Sequence, residues 1–72
     1  TPNYEHIQEL LLNGKIITIL NGYEHVLTNI ITKINDMGIN TLMIQQSDDG
    51  YYIKVDDKTV EYYKRKRENN ED

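Results

Sequence analysis

The chain has 72 residues, no cysteine and a net charge of −4. A domain of this size buries only about 60% of the surface its unfolded chain exposes, and with His6 and His25 as the only histidines it has neither a disulfide nor a metal-ligand set to reinforce it. Self-association or a tight partner is therefore the expected source of further burial. No cofactor is expected. No apolar run approaches the roughly 20 residues that span a bilayer, and no charged-then-apolar leader resembles a signal peptide, so the sequence reads as a soluble, cytoplasmic protein. Thr1 is small enough to follow an excised initiator methionine, and a trimmed chain fits equally well.

Isoleucine, valine and threonine supply 19 residues and alanine none. Their stiff β-branched side chains suit a pleated surface better than a helix. The first element is nonetheless helical. Thr1 is placed as N-cap, Pro2 at the first helical position, Tyr4, Ile7, Leu10 and Leu11 form an apolar stripe, and Gly14 lies just past the end. Lys15–Leu20 reads as the first strand, closed by the turn dipeptide Asn21-Gly22.

Residues 23–37 are two-sided. Tyr23, Val26, Leu27, Ile30, Ile31, Ile34 and Met37 follow helical spacing, with Gly38 at a C-cap position. The absence of alanine and the presence of Thr28, Asn29 and Thr32 argue the other way. Turn clusters at Asn21-Gly22, Asn35–Gly38, Asp48-Asp49-Gly50 and Asp56-Asp57 recur every 7 to 14 residues or so, a meander spacing, and tip the reading of this segment to a strand. Ile39–Gln46 is strand-like. In the last hairpin Val55 is expected opposite Lys58, Ile53 opposite Val60 and Tyr51 opposite Tyr62 on one face, with Tyr52 and Tyr63 outward.

The predicted fold class is thus α+β, an N-terminal helix followed by a mainly antiparallel β-meander. The alternative makes residues 23–37 a second helix packed on a smaller sheet. Residues 1–63 form one compact domain, and residues 64–72 a charged, flexible tail.

Charge divides along the chain. Residues 1–63 carry nine acids against four lysines, and Lys64-Arg65-Lys66-Arg67 follows. An acidic body repels nucleic acid and favours a basic protein surface. Asp48, Asp49, Asp56 and Asp57 are candidates for such a partner-binding surface, with Tyr52 as anchor; turn chemistry alone also accounts for the aspartates. The basic run reads as a solvated patch. No histidine pair, phosphate loop, nucleophile elbow or HExxH pattern is present, so an enzyme is not expected.

Two resemblances bear on function. Leu20-Asn21-Gly22 looks like the end of the first strand of Sm and Hfq-like proteins. Asp36–Met43 is similar to their Asp-x-x-hydrophobic-Asn-x-x-hydrophobic loop, and Ile53–Asp57 echoes their second motif. That resemblance implies an RNA-binding ring of identical subunits with Asp36, Asn40 and Lys54 at the RNA. The order Ile7–Leu12, Lys15–Gly22, Thr28–Asp36, Thr41–Asp49 resembles the helix-strand-strand-strand plan of small anti-CRISPR and related inhibitor proteins of phages infecting Gram-positive bacteria. It implies an acidic inhibitor or regulator that occludes a basic surface of a larger, nucleic-acid-handling protein. The second is the principal expectation and the first its alternative. Whether residues 23–37 pair with Ile39–Gln46 or pack across it as a helix tests fold and function together.

Overall fold

The structure, a computed structural model, describes residues 2–70, with side chains up to residue 69. Its elements run α1 (Tyr4–Leu12), β1 (Ile17–Leu20), α2 (Glu24–Asp36), β2 (Leu42–Ser47), β3 (Gly50–Val55) and α3 (Asp57–Asn70). The strands form one antiparallel sheet in the order β1-β3-β2. The α+β class is as expected, with three strands and three helices among the described residues.

Asn3, not Thr1, caps α1: its side chain accepts from the His6 amide at 3.1 Å. Thr1 lies outside the described residues. α1 and α2 close in the same way. The amides of Gly14 and Lys15 donate to Leu11 and Leu10, and those of Gly38 and Ile39 donate to Asn35 and Ile34. Each closure needs a residue at positive φ, supplied by Gly14 at +85° and Gly38 at +88°. At the end of α2 the motif also brings Ile39 against Ile34, both buried.

Residues 23–37, expected as a strand, are helical over Glu24–Asp36. Burial decides against propensity here. Helical spacing carries Val26, Leu27, Ile30 and Ile34 into the core together, at about 1.5–3 kcal/mol per side chain, whereas mediocre helix formers cost only about 0.7 kcal/mol or less each. The threonines are also accommodated. Thr28 and Thr32 sit on the exposed face and donate their hydroxyls to the carbonyls of Glu24 and Thr28, at 3.1 and 3.0 Å. The Glu24 carboxylate turns back onto the Gly22 amide at the start of the helix.

The expected final strand is also a helix. β3 pairs with β1 through Ile17–Ile53 and Ile19–Tyr51, and with β2 through Leu42–Val55 and Ile44–Ile53. Both edges of β3 are therefore occupied, and no edge remains for residues 58–63. Instead Asp56 accepts from the Thr59 amide, Val60 enters the core, and Arg65 meets Glu61 at 3.0 Å. The expected boundary at residue 63 falls inside α3, which carries Lys64–Arg67 on a helix. Tyr62 and Tyr63 exchange their expected sides: Tyr62 is exposed, while Tyr63 packs on the core and donates its hydroxyl to the Met37 carbonyl.

The core lies between the helices and one face of the sheet. Leu11, Ile30 and Ile34 from the helices meet Ile53 and Val55 from β3, all with less than 2% exposure. Gly50 permits the close approach of β1. Its φ is +151°, and a Cβ there would sit 2.1 Å from the Ile19 carbonyl oxygen. Among the described residues no helix is long and apolar enough to cross a membrane.

Ile34→Ala should cost about 2–5 kcal/mol in urea denaturation, and Gly50→Ala about 2–3 kcal/mol through strain and displaced backbone. Thr28→Ala and Thr32→Ala should be neutral or stabilising by a few tenths of a kcal/mol, the opposite of what a strand at these positions would give.

Candidate functional site

All three helices cover the same side of the sheet, so its other side is open. Strand parity places Tyr52 at the centre of this open face, between Thr18 of β1 and Gln45 of β2. Lys54 lies next to it, opposite Met43. Ile16 and Leu20 flank the face along β1. Ile16 is 61% exposed, Leu20 56% and Met43 55%, so the patch is apolar and accessible. A shallow depression of about 120 Å³ is lined by Ile16, Met43, Ile44, Gln45, Tyr52 and Lys54.

Charge is arranged at the two ends of this face. Asp48 and Asp49 form the β2–β3 turn, and Asp56 and Asp57 follow β3 at its far end. The six residues of β3 separate the pairs by roughly 20 Å, so the four aspartates do not make a single patch. They bracket the apolar face instead. Asn21 holds the first turn in place, donating its side-chain amide to the Asp48 carbonyl at 2.8 Å and its backbone amide to the Asp49 carbonyl at 3.1 Å. The carboxylates of Asp48 and Asp49 make no hydrogen bond or ion pair among the described residues. At the far end Asp57 meets the Lys54 ammonium at 3.4 Å, and this exposed pair leaves the Lys54 stem lying on the sheet.

Asp56 has a structural task. One carboxylate oxygen accepts from the Thr59 amide at 3.4 Å, while Oδ1 is buried without a hydrogen-bond partner. The Thr41 hydroxyl, then the Thr59 hydroxyl and the nearby Thr59 and Lys58 amides, hold its carboxyl below the ordinary carboxylate value, against the effect of partial burial. The two hydroxyls are 2.9 Å apart and bond to each other. Only one of the two hydroxyl protons is used in that bond, which leaves the other beside the Asp56 carboxylate.

Asp36, Asn40 and Lys54 occupy the end of α2, the loop before β2 and the open face respectively. No hydrogen bond or ion pair joins them among the described residues. Residues 24–36 and 57–70, expected as strands of a meander at least as far as residue 63, are helices. Among the described residues, no three potential metal-ligating side chains converge.

Tyr52 was legible as an outward residue from strand parity. Ile16, Leu20 and Met43 were not singled out. For Ile16 and Leu20 the signal is present in Lys15–Leu20, a run apolar at both parities, which fits a sheet covered on one face only if the other is left greasy. No protein-family model, curated protein or solved structure matches the chain.

Asp56→Ala should lower the melting temperature, while Asp56→Asn, which keeps an acceptor at the cap, should retain most of it. Because the folded-state pKa is lowered, the stabilisation by ionised Asp56 is fully present above about pH 4 and is lost as pH falls through the folded value. The stability gap between wild type and Asp56→Asn should therefore change below about pH 4 and stay constant above about pH 5.

Proposed function

We propose that the protein is a non-enzymatic binding module whose open sheet face covers a surface on a larger protein, an apolar patch flanked by basic residues. The observation that carries this reading is the apolar face centred on Tyr52 with free carboxylates at one end and Asp57 at the other. Protein interfaces have this anatomy, an aromatic and aliphatic centre with a polar rim. The two parts have different tasks. Desolvation of Tyr52, Met43 and Ile16 supplies affinity, while the acidic rim steers encounter with a basic surface and fixes orientation.

Occlusion of this kind is how a small inhibitor or regulator of a nucleic-acid-handling protein works. Such proteins carry basic surfaces because they must hold phosphates, and a chain that covers one needs complementarity rather than catalysis. The helix-strand-strand-strand order behind the resemblance to phage-encoded inhibitors is not formed, because residues 24–36 are a helix; what supports the reading is the surface charge and the apolar face.

The test uses the partner captured from the source cell and purified, with affinity measured at low and high salt. Tyr52→Ala should weaken binding about tenfold or more at both salt concentrations. The triple change Asp48→Lys, Asp49→Lys, Asp57→Lys should slow association at low salt and flatten the salt dependence. Asp56 is left intact because it caps α3. Unchanged affinity and unchanged salt dependence in both variants would remove the open face as the binding surface.

A further inference from the structure

The two edges of the sheet are not alike. β1 is four residues long and packs against α1 and α2. β2 is six residues long, and its substantial contacts are with β3 alone. Its sequence, Leu42-Met43-Ile44-Gln45-Gln46-Ser47, contains no charge and no proline, and its middle residues are exposed on both faces. Exposed strand edges are ordinarily blunted by lysine, proline, a bulge or a covering element, because their free amides and carbonyls template another strand. None of these devices is present on β2.

The hairpin fixes which groups are free. Ser47 and Gly50 close the two-residue turn, and such a closing pair is hydrogen-bonded, so alternation directs the backbone of Ser47, Gln45 and Met43 towards β3. The amides and carbonyls of Leu42, Ile44 and Gln46 then point away from the sheet. We propose that β2 pairs antiparallel with β2 of a second copy, about a two-fold axis at Ile44, to make a continuous six-stranded sheet. This register sets Ile44 opposite Ile44 and Leu42 opposite Gln46, and uses all three outward residues of each copy. Shifting it by one residue on each strand leaves part of that set unmatched.

Charge complementarity selects a second copy as the occupant. With Ile44 on the axis, Asp48 of one copy lies opposite Asn40 of the other. Asn40 and Thr41 line a cavity of about 370 Å³ together with Lys58 and Thr59. Lys58 makes no ion pair among the described residues, and neighbouring Asp57 is engaged by Lys54. The acidic turn of each copy thus reaches the lysine-bearing cavity of the other, twice per dimer, as a two-fold interface requires. The pairing uses the strand edge and leaves the face around Tyr52 open; Asp48 and Asp49 serve both readings, whereas Ile44 and Lys58 test the pairing alone and Tyr52 the docking reading alone.

Two measurements test it on the intact chain. Sedimentation should show a reversible dimer at micromolar concentration. Lys58→Glu alone, and Asp48→Lys with Asp49→Lys, should each raise the dissociation constant on the order of tenfold, and the combination should restore it. Because the chain has no cysteine, Ile44→Cys offers a direct test of register: Cα atoms of a hydrogen-bonded antiparallel pair lie about 5.5 Å apart, within disulfide range. It should cross-link under mild oxidation, whereas Glu5→Cys on α1 should not. Circular dichroism confirms that each variant is folded. A wild-type monomer throughout, a folded Ile44→Cys that does not cross-link, or a charge swap that does not restore association would each overturn the pairing.

Discussion

Hydrogen bonding of β3 along both of its edges is the interaction on which the remaining architecture depends. It places the last strand in the chain at the centre of the sheet, between β1 and β2, so Ile53 and Val55 are shielded laterally as well as by the helices. It also requires β1 to approach β3 closely at Gly50, where no side chain would fit beneath the Ile19 carbonyl. Once both edges are taken, residues after Val55 can only leave the sheet. The cap at Asp56 turns them into α3, and Val60 returns that helix to the core.

The same pairing explains why parts of the fold were legible in the sequence and others were not. Local punctuation was readable: Gly14, Gly22 and Gly38 all fall where positive φ is needed, and the parity of Tyr51, Tyr52 and Ile53 is as the alternation implied. What failed was non-local. Nothing near residues 57–63 reveals that β1, some 40 residues earlier, already occupies the edge of β3 to which they were assigned. Residues 23–37 failed for a different reason. Their helical periodicity is clear, but helix propensity and turn spacing point the other way. In a chain this small, the burial of Val26, Leu27, Ile30 and Ile34 on one helix outweighs the preferences of Thr28 and Thr32, especially when both hydroxyls find carbonyls within the helix.

The candidate site shares this mixture. The aspartates were found from turn chemistry, and turns are where they lie, but grouping them required knowing that β3 separates one pair from the other. Asp56 was read as surface charge, whereas its carboxylate serves the start of α3. The apolar residues of the open face are not legible in the sequence, because a strand that is apolar at both parities gives no hint of which side the helices will choose.

Chain length ties these surfaces together. Three short helices suffice to cover one face of a three-stranded sheet and leave its other face and the β2 edge unmatched. Pairing through the edge does not cover the open face; it widens it. In a two-fold sheet centred on Ile44, all helices remain on one side, and the strands run β1-β3-β2-β2-β3-β1. The two Tyr52 residues then lie three strand spacings apart, roughly 15 Å, on a single surface. Two copies of one modest patch on a rigid frame engage a partner with matching repeats far more strongly than either alone, because the second contact forms within an already formed complex. A body too small to bury all its apolar surface thereby acquires both added stability, through association, and a bivalent face.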